Sequence, residues 1–275
     1  MLRPCLLLAL LALLLPTEGS GQAADAGEYR LVWADEFDGA GSPDAESWTY
    51  ERGFVRNQEL QWYQPENARV EDGMLVIEAR RESRPNPMHE PGSERWSRAR
   101  ESIEYTSASV TTRGLHSWRY GRFEMRARID VRPGMWPAFW ALGTSGGWPA
   151  NGEVDIMEYY RGMILANVAW AKENPRTAFW DDVRVPLSEF PDGWADEFHV
   201  WRMDWTPEAI ELYVDDRLLN RTELSETVNH DGHNPFHEPM YLILNLAVGG
   251  TNGGDPSATA FPGRYEIDYV RVYQR

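Results

Sequence analysis

"GEVDIMEYY", residues 152–160, mixes apolar and acidic residues in one short run. Val154, Ile156 and Met157 belong in a buried strand, yet Glu153, Asp155 and Glu158 lie among them. A carboxylate carried into a core is costly unless it is paired or put to use. Side chains on a strand alternate between faces, so Glu153 and Asp155 share one face and Val154 and Ile156 the other. Strict alternation would turn Glu158 inward. One extra residue, a β-bulge near Met157, returns Glu158 to the side of the other two acids. The run then has an apolar face for a core and an acidic face for a groove.

Three carboxylates on one face repel one another. Their titrations couple, and at least one is expected to hold a proton near neutral pH. A retaining glycosidase has that need: one ionised nucleophile and one protonated acid, about 5–5.5 Å apart. A calcium site also gathers carboxylates, although the apolar flanks supply few further oxygen ligands. A structural role is the third reading. Trp136, Trp140 and Trp148 lie just upstream. Their flat faces suit the apolar faces of sugar rings, and a polysaccharide groove is the reading they favour.

Outward from this run, period-two patterns recur at 74–80, 107–113, 121–130, 138–143, 164–170, 197–205, 209–219, 240–250 and 265–274. Gly, Pro and Asp turns separate them, as in 71–73, 132–134, 191–193 and 251–257. Many short strands with such turns predict an all-β, two-sheet antiparallel jelly-roll sandwich. Segment 81–104, charged and with three prolines, reads as a long surface loop.

Residues 1–24 read as a secretory signal peptide: an arginine, an apolar run, then small and polar residues, with cleavage expected within 20–25. Residues 25–275 form one catalytic domain of ordinary size. The only cysteine, Cys5, lies in the signal, so the mature chain is expected to fold without a disulfide. A secreted or periplasmic location is expected, with no membrane partner after cleavage. The net charge of −16 argues against nucleic acid, which is bound through Lys and Arg. The chain is rich in aromatics, with 13 Trp and 12 Tyr, most of them expected in the core. A monomer acting on a polysaccharide, with no cofactor for catalysis, is the expectation.

The sequence resembles glycoside hydrolase family 16, in its laminarinase-like (endo-β-1,3-glucanase) branch. The residues that carry the resemblance are "WADEFDG" (33–39), "NQELQWY" (57–63), "YGRFEMRARI" (120–129), "GMWPAFWALG" (134–143), "WPANGEVDIMEY" (148–159), "FHVWRMDWTPEAIELYVDD" (198–216), "PMYLILNLAVGG" (239–250) and "DYVRVYQ" (268–274). The resemblance implies a concanavalin A-like jelly roll with a substrate groove on its concave face. It implies Glu153 as nucleophile, Glu158 as acid/base and Asp155 as the helper between them. It implies Trp136, Trp140 and Trp148 as sugar platforms, and Asn57, Arg122 and Asn245 as groove residues. A structural calcium ion on the convex side is implied at Glu36, the Gly73 carbonyl and Asp268; for Asp268, pairing with a nearby Arg is the alternative. The implied activity is retaining endo-hydrolysis of β-1,3- or mixed β-1,3-1,4-glucan. Red-algal galactan hydrolysis, agarase- or porphyranase-like, and non-catalytic β-glucan binding are the alternatives.

The chain departs from the branch at one place. Where laminarinases carry a His-Gly-x-x-His stretch after the catalytic strand, Leu165 and Ala169 stand instead, followed by Trp170. The acceptor side of the groove is therefore expected to differ. Trp170 is assigned there as a stacking surface, although alternation lets only one of Ala169 and Trp170 face the cleft. His230, Asp231, His233 and His237 are read as loop residues rather than metal ligands, and Asn220 heads a glycosylation sequon.

Overall fold

The computed structural model describes residues 28–275, so the expected signal segment 1–24 lies outside the described residues. Two sheets account for the strands, numbered in chain order. The ten-stranded sheet runs β15 (Arg217–Glu223), β14 (Ala209–Val214), β13 (His199–Trp205), β8 (Gly121–Arg128), β17 (Gly263–Gln274), β5 (Met74–Pro85), β6 (Ser102–Ser107) and β3 (Gln61–Tyr63). Beside this path, β1 (Arg30–Asp35) pairs with β17 and β4 (Ala68–Glu71) with β5. The seven-stranded sheet runs β12 (Thr177–Pro186), β11 (Met163–Asn174), β10 (Glu153–Tyr160), β9 (Met135–Gly143), β16 (Met240–Val248), β7 (Ser109–Thr111) and β2 (Thr49–Tyr50). Every pairing is antiparallel except β3 with β6. The expected two-sheet jelly-roll sandwich is the fold.

Alternation builds the interior. Phe123 and Met125 of β8, Trp201 and Met203 of β13, and Val270 and Val272 of β17 face inward from the larger sheet. Phe139 of β9, Val154 of β10, Val168 of β11 and Leu244 of β16 meet them from the smaller one. A second, smaller apolar cluster of Ala138, Trp140, Tyr241 and Ile243 lies on the other face of the seven-stranded sheet and floors the groove.

Two expectations change. Segment 81–104 is not one loop. Strand β5 continues to Pro85, a short helix α1 (Trp96–Ala99) follows, and β6 begins at Ser102. The excursion is also tied down. Arg100 stacks over Phe54 at 4.8 Å and donates to the carbonyls of Gln58 and Glu59, 2.7 Å each. The Asn220 sequon is buried on β15, and its amide donates to the carbonyls of Ala166 (3.0 Å) and Asp181 (3.3 Å). Attachment of a glycan there is incompatible with the folded chain.

Candidate active site

Strand β10 holds the three acids, and its register shows how. Asp155 pairs with Trp140 on β9, but the next partner of Phe139 is Met157, so one residue is inserted between them. On the β11 side, Asp155 pairs with Asn167 and Glu158 with Leu165. This is the bulge expected near Met157. Val154, Ile156 and Met157 all face the core, while Glu153, Asp155 and Glu158 line a groove of ≈ 690 Å³.

The registers continue this pattern across the sheet as three rows on the groove face. Leu142, Glu153, Ala169 and Trp180 form the first, on β9, β10, β11 and β12. Trp140, Asp155, Asn167 and Asp182 form the second. Ala138, Glu158, Leu165 and Arg184 form the third.

Asp155 accepts a hydrogen bond from Asn167 Nδ2 at 3.2 Å, and Asn167 Oδ1 accepts from the Val183 N–H at 3.3 Å. The middle acid is thus braced against the edge strand. Glu158 Oε1 accepts the indole N–H of Trp136 at 2.6 Å. Trp140 donates its indole N–H to Asn245 Oδ1 at 2.7 Å, and Asn245 Nδ2 donates to Tyr63 Oη at 3.0 Å. The Arg56 guanidinium lies over the Trp140 ring at 4.9 Å and is ion-paired with Glu51.

Burial dominates the electrostatics. It lifts the Glu153 and Glu158 carboxyls well above the usual carboxylate range and Asp155 to about 7. The neighbours then separate the two glutamates. Around Glu153, the Asp155 charge raises further, while Arg56 and the Trp148 side chain act in the opposite direction. Around Glu158, the charges of Asp155, Glu153 and Glu59 all raise, and only the Trp136 bond opposes them. A cation stands beside Glu153 and none of the influences on Glu158 is a cation. Of the two lifted glutamates, Glu153 is therefore the one whose surroundings oppose the lift with a cation, as a nucleophile needs, and Glu158 is the one left to hold a proton.

The loop Asn57–Gln58 closes one end of the groove, and both residues have positive φ, 52° and 51°. It can approach because Gly250 stands beneath it: a Cβ there would lie 2.8 Å from the Asn57 carbonyl oxygen and 2.9 Å from Glu59 Cα. Asn57 lines the groove and donates to Glu59 Oε1 at 3.3 Å.

Of the expected groove residues, Asn57, Trp136, Trp140, Trp148 and Asn245 line it together with the three acids. They differ in what they offer a ligand. Trp148 is 51% exposed and free to stack, whereas Trp136 is buried edge-on to Tyr160 and serves Glu158 instead. Arg122 is a correction. It projects from the outer face of the ten-stranded sheet, where it pairs with Asp204 at 2.7 and 3.0 Å. Phe123 next to it faces the core, so alternation sends Arg122 away from the groove.

Trp170 is a second correction. It is 2% exposed, packs in the core and meets Phe179 at 4.8 Å. Ala169 takes the groove face. The carboxylates among the expected calcium ligands are engaged in ion pairs. Glu36 is held by Arg271 through two bonds of 2.7 Å, and Asp268 by Arg126 at 2.6 Å. Each carboxylate already has a cation, and Gly73 with Asp72 serves the positive-φ turn between β4 and β5. No set of three or more His, Cys, Asp or Glu that could hold a metal ion occurs among the described residues. That covers the three groove acids and the stretch around His230 and His237, where His237 instead bonds the Tyr120 hydroxyl at 2.9 Å.

Sequence reasoning missed Arg56, Asn167, Trp180, Asp182 and Arg184, all in the groove lining. An arginine directly before "NQEL" was a signal for the first. An asparagine inside the apolar run "ILANVAW" was a signal for the second.

An acid-lined groove on a jelly-roll sheet defines a class of carbohydrate-active protein. Residues 56–271 match Glycosyl hydrolases family 16. The chain is 41% identical to a beta-glucanase of Rhodothermus marinus over 93% of this chain and 89% of that protein. It overlays on the X-ray structure of the laminarinase from Rhodothermus marinus with a TM-score of 0.72 and 41% identity, covering 90% of this chain and 98% of that one. It overlays with a TM-score of 0.82 and 37% identity on a structure from work on endo-acting O-glycanases with which human gut bacteria initiate mucin breakdown. That match covers 90% of this chain and 92% of the other. The chain belongs to glycosyl hydrolase family 16.

Proposed function

We propose that this protein is a secreted, retaining endo-β-glycanase that hydrolyses β-1,3- or mixed β-1,3-1,4-glucan. The observation that carries the proposal is the bulge in β10, which turns Glu153, Asp155 and Glu158 into one groove. In the first step the Glu153 carboxylate attacks the anomeric carbon as the glycosidic C–O bond breaks. Glu158 gives its proton to the departing oxygen. In the second step Glu158 takes a proton from water, the water oxygen attacks the anomeric carbon, and Glu153 leaves as the carboxylate. Asp155, braced by Asn167, keeps the proton of the coupled pair, so that Glu153 carries the charge as it attacks. The beta-glucanase of Rhodothermus marinus supports the substrate class.

A second reading has its own support. The overlay on the mucin-directed O-glycanase structure, at 0.82, is tighter than that on the laminarinase, at 0.72. The groove also lacks the histidines of the laminarinase pattern. A mucin-type O-glycan is therefore the alternative substrate, in place of a glucan. Release of reducing ends from laminarin, lichenan, agarose, porphyran, carrageenan and a mucin-type O-glycan separates the two. Cleavage of laminarin or lichenan is the expected result. Cleavage of the O-glycan alone would move the assignment to the second reading, and no cleavage of any would count against both.

A further inference from the structure

The edge strand β12 was not legible in the sequence, and it forms the far wall of the groove. Its alternate residues Trp180, Asp182 and Arg184 all line the groove. They extend the three rows that pass through Glu153, Asp155 and Glu158. The residues between them and the acids are Ala169, Asn167 and Leu165, short or apolar and all buried. The side chain of β11 that lines the groove on this flank is Asn167. That one is already committed to Asp155 and to the backbone of Val183. The groups left to meet the sugar stand one strand further out.

Trp180 suits that task. It is 38% exposed, and it lies on the groove face of β12 while Phe179, on the opposite face, packs against Trp170. The strand is thus pinned from its other side. Asp182 and Arg184 are paired with each other at 3.1 Å and half open to solvent. They present a carboxylate and a guanidinium, acceptor and donors, at the rim beside Trp180. On the opposite flank of the acids, Trp140 lies flat under Arg56 and Asn245 is bound to it. The groove therefore has one flank wired in advance and one open aromatic wall.

We infer that Trp180 is the sugar-stacking platform of the β12 flank of the groove, with Asp182 and Arg184 as its hydrogen-bonding rim. The ligand is a neutral, β-linked pyranose chain long enough to cross the acids and reach β12. The inference rests on the proposed function only for which glycan is bound; the platform is a statement about the groove itself.

The test separates the two. Binding of long and short laminari-oligosaccharides and of a mucin-type O-glycan is measured by calorimetry to Glu153→Gln, alone and combined with Trp180→Ala or Trp180→Phe. Trp180→Ala is expected to weaken binding of the long oligosaccharide about 10-fold or more, the size of a lost aromatic stack. Binding of a disaccharide confined to the other flank stays the same, and Trp180→Phe restores most of the loss. The melting temperature of Trp180→Ala stays within about 2 °C of its parent, as expected for an open surface side chain. Equal affinity of the Ala variant for every long glycan that the parent binds would overturn the platform. That result leaves the hydrolase reading standing if the wild type cleaves. A Trp180 effect on binding with no cleavage by the wild type would uphold the platform and overturn the hydrolase. A groove that binds none of these glycans would overturn both.

Discussion

Trp136 donates its indole N–H to Glu158 Oε1 at 2.6 Å, from β9 to the neighbouring β10. The bond favours the ionised form of Glu158 and opposes burial and three nearby carboxylates, which favour the protonated form. Its removal raises the pKa of the acid further. Trp136→Phe is expected to move the basic limb of the kcat/KM profile to higher pH. The rate at the optimum is expected to fall about 10-fold, the scale of one hydrogen bond to a charged group. An unmoved basic limb, or one shifted to lower pH, would remove Trp136 from this role.

Burial of the acids also carries a stability signature. Asp155 is lifted from 3.8 to about 7 in the folded chain, first by desolvation. The folded state then binds a proton that the unfolded chain releases, so stability falls as pH rises from about 4 to about 7 and levels off above. Asp155→Asn lacks this dependence. Its stability relative to wild type is expected to improve by about 2–4 kcal/mol between pH 4 and pH 7, read from urea unfolding. A constant difference across that window, or one that runs the other way, would contradict the placement of this carboxyl in a desolvated cluster.

Trp170 fills the core, with its ring against Phe179. Trp170→Ala is expected to cost about 3–5 kcal/mol of folding stability. Below its melting range it should treat long and short substrates alike. Selective loss on long chains with unchanged melting would instead place the ring in the groove.

Glu36 and Asp268 each hold an arginine, Arg271 and Arg126. Neither added calcium nor a chelator is therefore expected to shift the melting temperature. A ligand bound only by the folded state raises that temperature by mass action. A calcium-dependent rise of several degrees would show that the ion displaces the arginines.

The strands that fix the fold were those with one apolar face. The run 153–160 coincides with β10, and 121–130 and 240–250 overlap β8 and β16. Even the bulge was legible, because only an inserted residue lets Met157 and Glu158 both be satisfied. Run 209–219 was read as one strand; the turn at Asp215, with φ 51°, splits it into β14 and β15. β12 escaped because it is an edge strand with neither face wholly apolar: Phe179, Asp181 and Val183 alternate with Trp180, Asp182 and Arg184. With β12 unseen, the aromatic wall had no place in the sequence reading, and Trp170 was the nearest tryptophan to fill it. Arg122 shows the converse limit. Period two places it opposite Phe123, but only the assembled sheets show which face is the groove.

The central claim is double displacement at Glu153 with Glu158 as acid/base. Its most direct test is Glu158→Ala acting on an aryl β-glycoside with a good leaving group, in the presence of azide. That leaving group needs little protonation, so the glycosyl-enzyme on Glu153 still forms, and azide then attacks it from the face that Glu158 served. The account predicts accelerated turnover and a β-glycosyl azide. An α-glycosyl azide, or no azide product with equal losses on aryl and natural substrates, would contradict it.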